Sequence, residues 1–279
     1  MEKSELYRRI AEEADRGELV FPTNVEVGLR IKRAIDDPEC SIDQAAKLIQ
    51  SEPLVAARVV AVANSIAYNR SGREITDVRQ AVSRLGFRTL RSITMSVIVK
   101  QMSGQVANPA LKDLAYKLWE HTAHVAALSH VIARRVTFVD PDTALFSGIL
   151  HEVAGFYLIA RAAGQPELLS GDMGDWQGEG EMVVGTSLLR ILEVPDLVAT
   201  AINDFWQGYL AMPPATLGDT LLLAEELAPV PSPLYWQPES AAGEEPSKTE
   251  IEIAIDDETL SSILAESAEE VQSLIGALK

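Results

Sequence analysis

The sequence predicts an all-α protein. Apolar residues recur at helical spacing almost throughout, no stretch holds a sustained period-two alternation, and helix-start signals punctuate the chain. At 279 residues the chain is ample for one large domain or two small ones. A hydrophobic content of 47% with 23% charged residues is ordinary for a globular fold. No unbroken apolar run reaches 18 residues, so no membrane span is expected. The opening MEKSELYRRIAEEADRGE is charged and amphipathic and lacks the apolar core of a signal peptide. The single cysteine, Cys40, excludes an internal disulfide. These features together point to the cytoplasm.

Taken in order, residues 5–15 form a short amphipathic helix that stops near Gly17. Phe21-Pro22 is an extended entry to a helix marked by Val25, Leu29, Lys32 and Ile35, which closes near Asp36-Asp37-Pro38. Ser41-Ile42-Asp43-Gln44 is a capping box opening a helix through Ile49. Ser51 with Pro53 starts the next, which Leu54, Ala57, Arg58 and Ala61 carry to Asn64. After the loop NRSGRE, Thr76 caps a helix that Gly86 ends, since glycine suits a left-handed close. Residues 87–102 continue as a helix with Leu90, Ile93 and Val97 on one side, and a polar break at 101–108 precedes a long helix begun by Pro109.

That helix is the first limb of a hairpin over residues 118–155, which holds all four histidines of the chain. His121 falls on the stripe of Leu118, Val125, Leu128 and Ile132, while His124 and His130 lie further round. Asp140 as N-cap and Pro141 at the first helical position start the second limb, which buries Leu145, Ile149 and Val153. A short loop makes the limbs antiparallel, so His121 should meet the pair His151-Glu152. Imidazoles and a carboxylate on facing helices suit a divalent metal; they equally suit a hydrogen-bonded core.

The loop SGDMGDWQGEGEM reads as a surface connection. Helices follow over 183–192, from Pro195 to Tyr209, and from Thr216 to Ala228. PVPSPLYWQPESAAGEEPSK is a linker by composition, with Leu234, Tyr235 and Trp236 as a docking point. Leu260, Ile263, Leu264, Val271, Leu274 and Leu278 then stripe an acidic helix that should dock on its own body. The expected organisation is an N-terminal helical part at 1–105, a second helical half at 106–229, a Pro-rich linker at 230–250 and an acidic helix at 251–279.

The formal charge of −17 is unevenly spread. Residues 229–279 hold eleven acids against Lys248 and Lys279, a net −9, whereas 58–100 hold eight bases against Glu74 and Asp77, a net +6. The acidity argues against DNA binding. The basic segment, Arg58 to Lys100, is either a solvated surface or a seat for an acidic or nucleotide ligand.

The first part resembles the HDOD family, helical signalling modules related to HD phosphohydrolases. Pro22, Val27, Asp37-Pro38, Ser41, Ile49, Pro53-Leu54, Arg58, Asn64-Ser65 and Tyr68 carry the resemblance, and Ile75, Ala81, Leu85-Gly86, Leu90 and Arg91 extend it. WEHTAHVAAL and SGILHEVAGF look like the WxHS and LLHDIG segments of that family, so the likeness spans roughly Glu18 to Pro229. It implies an N-terminal helical bundle packed on an HD-like half. By the same resemblance His121 and His151 match the metal-binding histidines, Glu152 replaces the aspartate of the HD pair, and Glu225 stands at the last aspartate. Glu181 and Phe205-Trp206 occupy places where two-metal relatives carry histidines, and VAGF replaces IGK.

The resemblance therefore implies a vestigial metal site of His121, His151, Glu152 and Glu225. No catalytic residue and no cofactor are expected; one divalent ion (manganese, iron, magnesium or nickel) is the most the set would hold. The function implied is a non-catalytic regulatory module whose partners are signalling proteins, with pairing to a second copy a further option. The alternative is a weakened metal-dependent phosphohydrolase.

Overall fold

A computed structural model describes residues 3–16, 23–102, 106–171, 173–208, 210–211, 213–235 and 257–279. Phe21-Pro22, Tyr209 and Trp236 lie outside them. Among the described residues there is no strand, as the periodicity predicts. The chain runs through α1 (Lys3–Asp15), α2 (Thr23–Asp36), α3 (Ile42–Gln50), α4 (Pro53–Ala63), α5 (Val78–Met102) and α6 (Pro109–Ile132). It continues through α7 (Pro141–Leu150), α8 (Val153–Ala162), α9 (Glu181–Ile191), α10 (Asp196–Gln207), α11 (Leu217–Glu226) and α12 (Asp257–Leu278).

Local signals set most of the boundaries. Ser41 and Gln44 form the reciprocal capping box of α3. Asn108 caps α6 ahead of Pro109, Asp140 caps α7 ahead of Pro141, and Thr216 with Asp219 boxes α11. Two predicted starts differ. Glu52, not Ser51, is the N-cap of α4, because the Ser51 hydroxyl turns back to the Leu48 carbonyl and closes α3 instead. Asp77, not Thr76, serves the start of α5 by accepting from the Gln80 amide. Gly86 has φ 71° and bends α5 into two limbs.

The α6–α7 hairpin is the centre of the molecule. A Cβ at Gly148 would sit 2.5 Å from the Ala126 Cα, so the two backbones touch only because residue 148 has no side chain. α5 packs on α2, α3, α4 and α7, and α10 and α11 cover the opposite flank of the hairpin. The apolar stretch Pro141–Ala162 is mostly buried in this core and interrupted at His151-Glu152.

At the two ends of the described chain, α12 docks on the body as its apolar stripe predicts, while α1 packs against the second helical half. α1 lies on α9 and the turn before it, where Tyr7 meets Trp176 edge to face at 5.2 Å and donates to the Leu168 carbonyl. α1 thus packs mainly on the second half of the chain. α12 docks on α4 and α6 through Val271, Leu274, Ile275 and Leu278. Arg134 and Arg135 pair with Glu270 and Glu266, Arg58 donates to the Ala277 and Lys279 carbonyls, and Lys100 donates to the latter. The two ends of the basic segment therefore face the chain's own last helix. Within it Arg79, Arg88 and Arg91 pair with Asp43, Asp140 and Asp36.

Candidate functional site

The turn between α7 and α8 aims His151 and Glu152 inward at the first half of α6, and both have no exposed surface. His121 reaches them from α6. Its Nε2 lies 3.2 Å from the His151 Nε2, so the hairpin brings the two rings into contact as the antiparallel reading predicts. α11 adds Glu225, whose Oε2 stands 3.2 Å from the His121 Nε2 and 3.5 Å from the His151 Nε2. The Glu152 Oε1 is further off, at 3.9 Å from His121. All four candidate ligands converge, while His124 and His130 do not join them. His124 Nδ1 bonds the Glu120 carbonyl, and His130 lies against Tyr68.

The outer ring nitrogens are pinned. His121 Nδ1 meets the Val230 carbonyl and His151 Nδ1 the Gly148 carbonyl, both at 2.7 Å. Each Nδ1 must be the donor there, because a carbonyl only accepts. Both Nε2 atoms therefore turn toward each other, and two lone pairs at 3.2 Å repel unless a cation lies between them. A proton supplies it: burial disfavours charge on His121, but Glu225 and Glu152 outweigh burial and raise the ring to about 9. Burial likewise opposes ionisation of Glu225, yet the two imidazoles hold its carboxyl at about 2. A divalent ion is the other solution. Carbonyl-pinned Nδ1 atoms are the usual support of metal-ligating histidines, and the Glu225 Oε2 is buried beside them without an aligned hydrogen bond. The donor set fits one ion, held by His121, His151 and Glu152, whose ligand atoms lie within 4.8 Å of one another, with Glu225 in reach of both rings.

It does not fit two. Phe205 stacks edge-on to His151 at 5.5 Å, and Glu181 is bound by the Tyr235 hydroxyl at 3.1 Å. Burial first, then the charge of Glu152, pushes the Glu181 carboxyl well above the carboxylate range. Burial also raises the Glu152 carboxyl, partly offset by His151 and His121.

Two predicted connections prove to be walls of the site. The segment at 230–235, expected as the start of the linker, folds over it: Val230 holds His121, the Ser232 hydroxyl donates to Glu152 at 2.5 Å, and Leu234 packs where a Gly155 Cβ would be 2.6 Å away. Prolines at 229, 231 and 233 favour an extended strap, which leaves carbonyls and short side chains to do the bonding. The loop SGDMGDWQGEGEM, expected on the surface, buries Trp176 and delivers Glu181. The apolar triplet around Tyr235 is the one trace of the strap in the sequence.

A helical domain built on a hairpin, with two facing imidazoles and a ring of carboxylates at its turn, defines the class: an HD-type helical fold. The HDOD domain model matches residues 21–177, and the chain belongs to the HDOD family. None of the curated proteins matches it. Three solved structures share its fold. A Shewanella amazonensis protein named "Putative metal-dependent phosphohydrolase" superposes with TM-score 0.71 at 19% identity, covering 99% of each chain. An HDOD domain protein with unknown function from Geobacter sulfurreducens gives 0.63 at 20% identity, over 98% of this chain and 97% of that one. A Marinobacter aquaeolei "Putative signal transduction protein" gives 0.61 at 18%, over 99% of this chain and 66% of its own.

Proposed function

We propose that this protein is a signal-transduction or regulatory module that acts through protein contacts and does not turn over a phosphodiester. One observation carries the reading: the inward edge of the histidine pair faces carboxylates and the chain's own strap. His121, His151 and Glu152 are fully buried beneath residues 230–235. A phosphodiester brought there would meet Glu225 and Glu181, and among the described residues no lysine or arginine lines the adjoining pocket. The missing second metal site agrees with this. Incubation with manganese or iron and a cyclic dinucleotide or an activated phosphodiester should give no hydrolysis above the protein-free rate. Metal-dependent turnover lost in His151→Ala would overturn the proposal, and affinity capture from the native cell should return signalling proteins as partners.

A second reading is favoured by the 3.2 Å approach of the two Nε2 atoms, which is how two ligands of one ion stand. In it His121, His151, Glu225 and Glu152 hold a single divalent ion, whose chemistry would be to polarise a phosphate oxygen. Elemental analysis of the purified protein, followed by the phosphodiester assay on the metal-loaded form, separates the readings.

A further inference from the structure

Beside the histidine pair, and sharing Glu225 with it, lies a cavity of about 330 Å³ between α9, α10, α11 and the strap. That is the small end of ligand-site volumes, which run from roughly 300 to 1,000 Å³. Phe205, Trp206 and Tyr235 are aromatic walls, Met182 adds a thioether, and Glu181 and Glu225 provide the acids. The rim at Gln177 and Gly178 is exposed, so the cavity opens to solvent. The indole of Trp206 lies hard against Gly185, where a Cβ would come within 2.3 Å, which fixes that wall. Glu181 is only 4% exposed; one oxygen accepts from the Tyr235 hydroxyl, and its Oε1 has no aligned hydrogen bond among the described residues, with Trp206 as its polar neighbour.

We propose that this cavity is a binding site for a small organic cation, an alkylated ammonium compound in particular. Aromatic faces attract ammonium groups through the ring quadrupole, most strongly when water is excluded. Glu225 supplies the negative charge, and the hydroxyl of a bound alkanolammonium gives the Glu181 Oε1 a donor. An anion is rejected on the same grounds. The inference goes beyond the regulatory reading and stands whether or not the histidine pair turns over a substrate.

The test is isothermal titration of the full chain, in chelator, with choline, with its neutral isostere 3,3-dimethylbutan-1-ol and with inorganic phosphate. Choline should bind saturably, the isostere at least about tenfold more weakly, and phosphate not at all. Trp206→Leu and Glu181→Gln should each weaken choline by at least about tenfold, with circular dichroism showing both variants folded. The choline-to-isostere comparison needs no variant, so it stands even if a substitution unfolds the protein. Equal binding of choline and the isostere, absence of choline binding, tighter phosphate binding, or choline binding untouched in both folded variants would each overturn the proposal.

Discussion

At the scale of single residues, the His121–Glu225 pair makes a pH prediction. His121 is raised to about 9 from 6.5, so its share of stability is complete below 6.5 and disappears as pH climbs through 9. Glu225 is lowered to about 2 from 4.5, so its share is complete above 4.5 and disappears as pH falls through 2. Without metal, the pair should stabilise the fold fully between pH 4.5 and 6.5 and less on either side. Thermal melts of the chelated protein should decline between pH 7 and 9.5, and Glu225→Gln should flatten that decline; an unchanged slope refutes the pairing. His121 and His151 are legible from the sequence because helical spacing and a short loop dictate their meeting. Glu181 is marked only by the family resemblance: a glycine-rich acidic loop carries no periodicity to reveal that its last glutamate turns inward. Ser51 and Thr76 mislead because several adjacent polar residues compete for one cap, and only backbone geometry decides which wins.

At the scale of elements, α12 is bound by apolar burial first. A buried leucine contributes roughly 1.5–3 kcal/mol, and an exposed ion pair only about 0–1 kcal/mol. Leu274 and Leu278 are fully buried, whereas Glu266 is exposed. Deleting residues 251–279 should therefore lower the melting temperature by several degrees, and molar salt alone should not release the helix. Free amide exchange across 262–278 in the intact chain would show that it is not docked. α7 provides a second check: Asp140→Ala removes the side chain that caps the Thr143 amide and should cost about 1 kcal/mol in denaturant unfolding. Helices are the legible part of this chain because caps and prolines lie within a few residues of the ends they set. The strap at 230–235 is hidden for the opposite reason, since its proline-rich composition is that of a spacer and its bonds run to residues about 80 to 110 positions away.

At the scale of the whole molecule, the fold is one continuous core threaded through the Gly148 contact of α6 and α7. Gly148→Val would drive methyl groups into the Ala126 backbone and should lower stability by more than about 3 kcal/mol or abolish soluble expression. Soluble protein of unchanged melting temperature would show that the two helices can separate.

The placement of α1 and α12 also bears on how the chain acquires its shape. Tyr7 waits for Leu168, 161 positions later, and Arg58 waits for Ala277, 219 positions later. Contacts of such span form slowly, because each closes a long loop. During synthesis α4 and α6 must stand with an apolar face uncovered until the last helix has left the ribosome, so a stalled or truncated nascent chain is a natural client for chaperones.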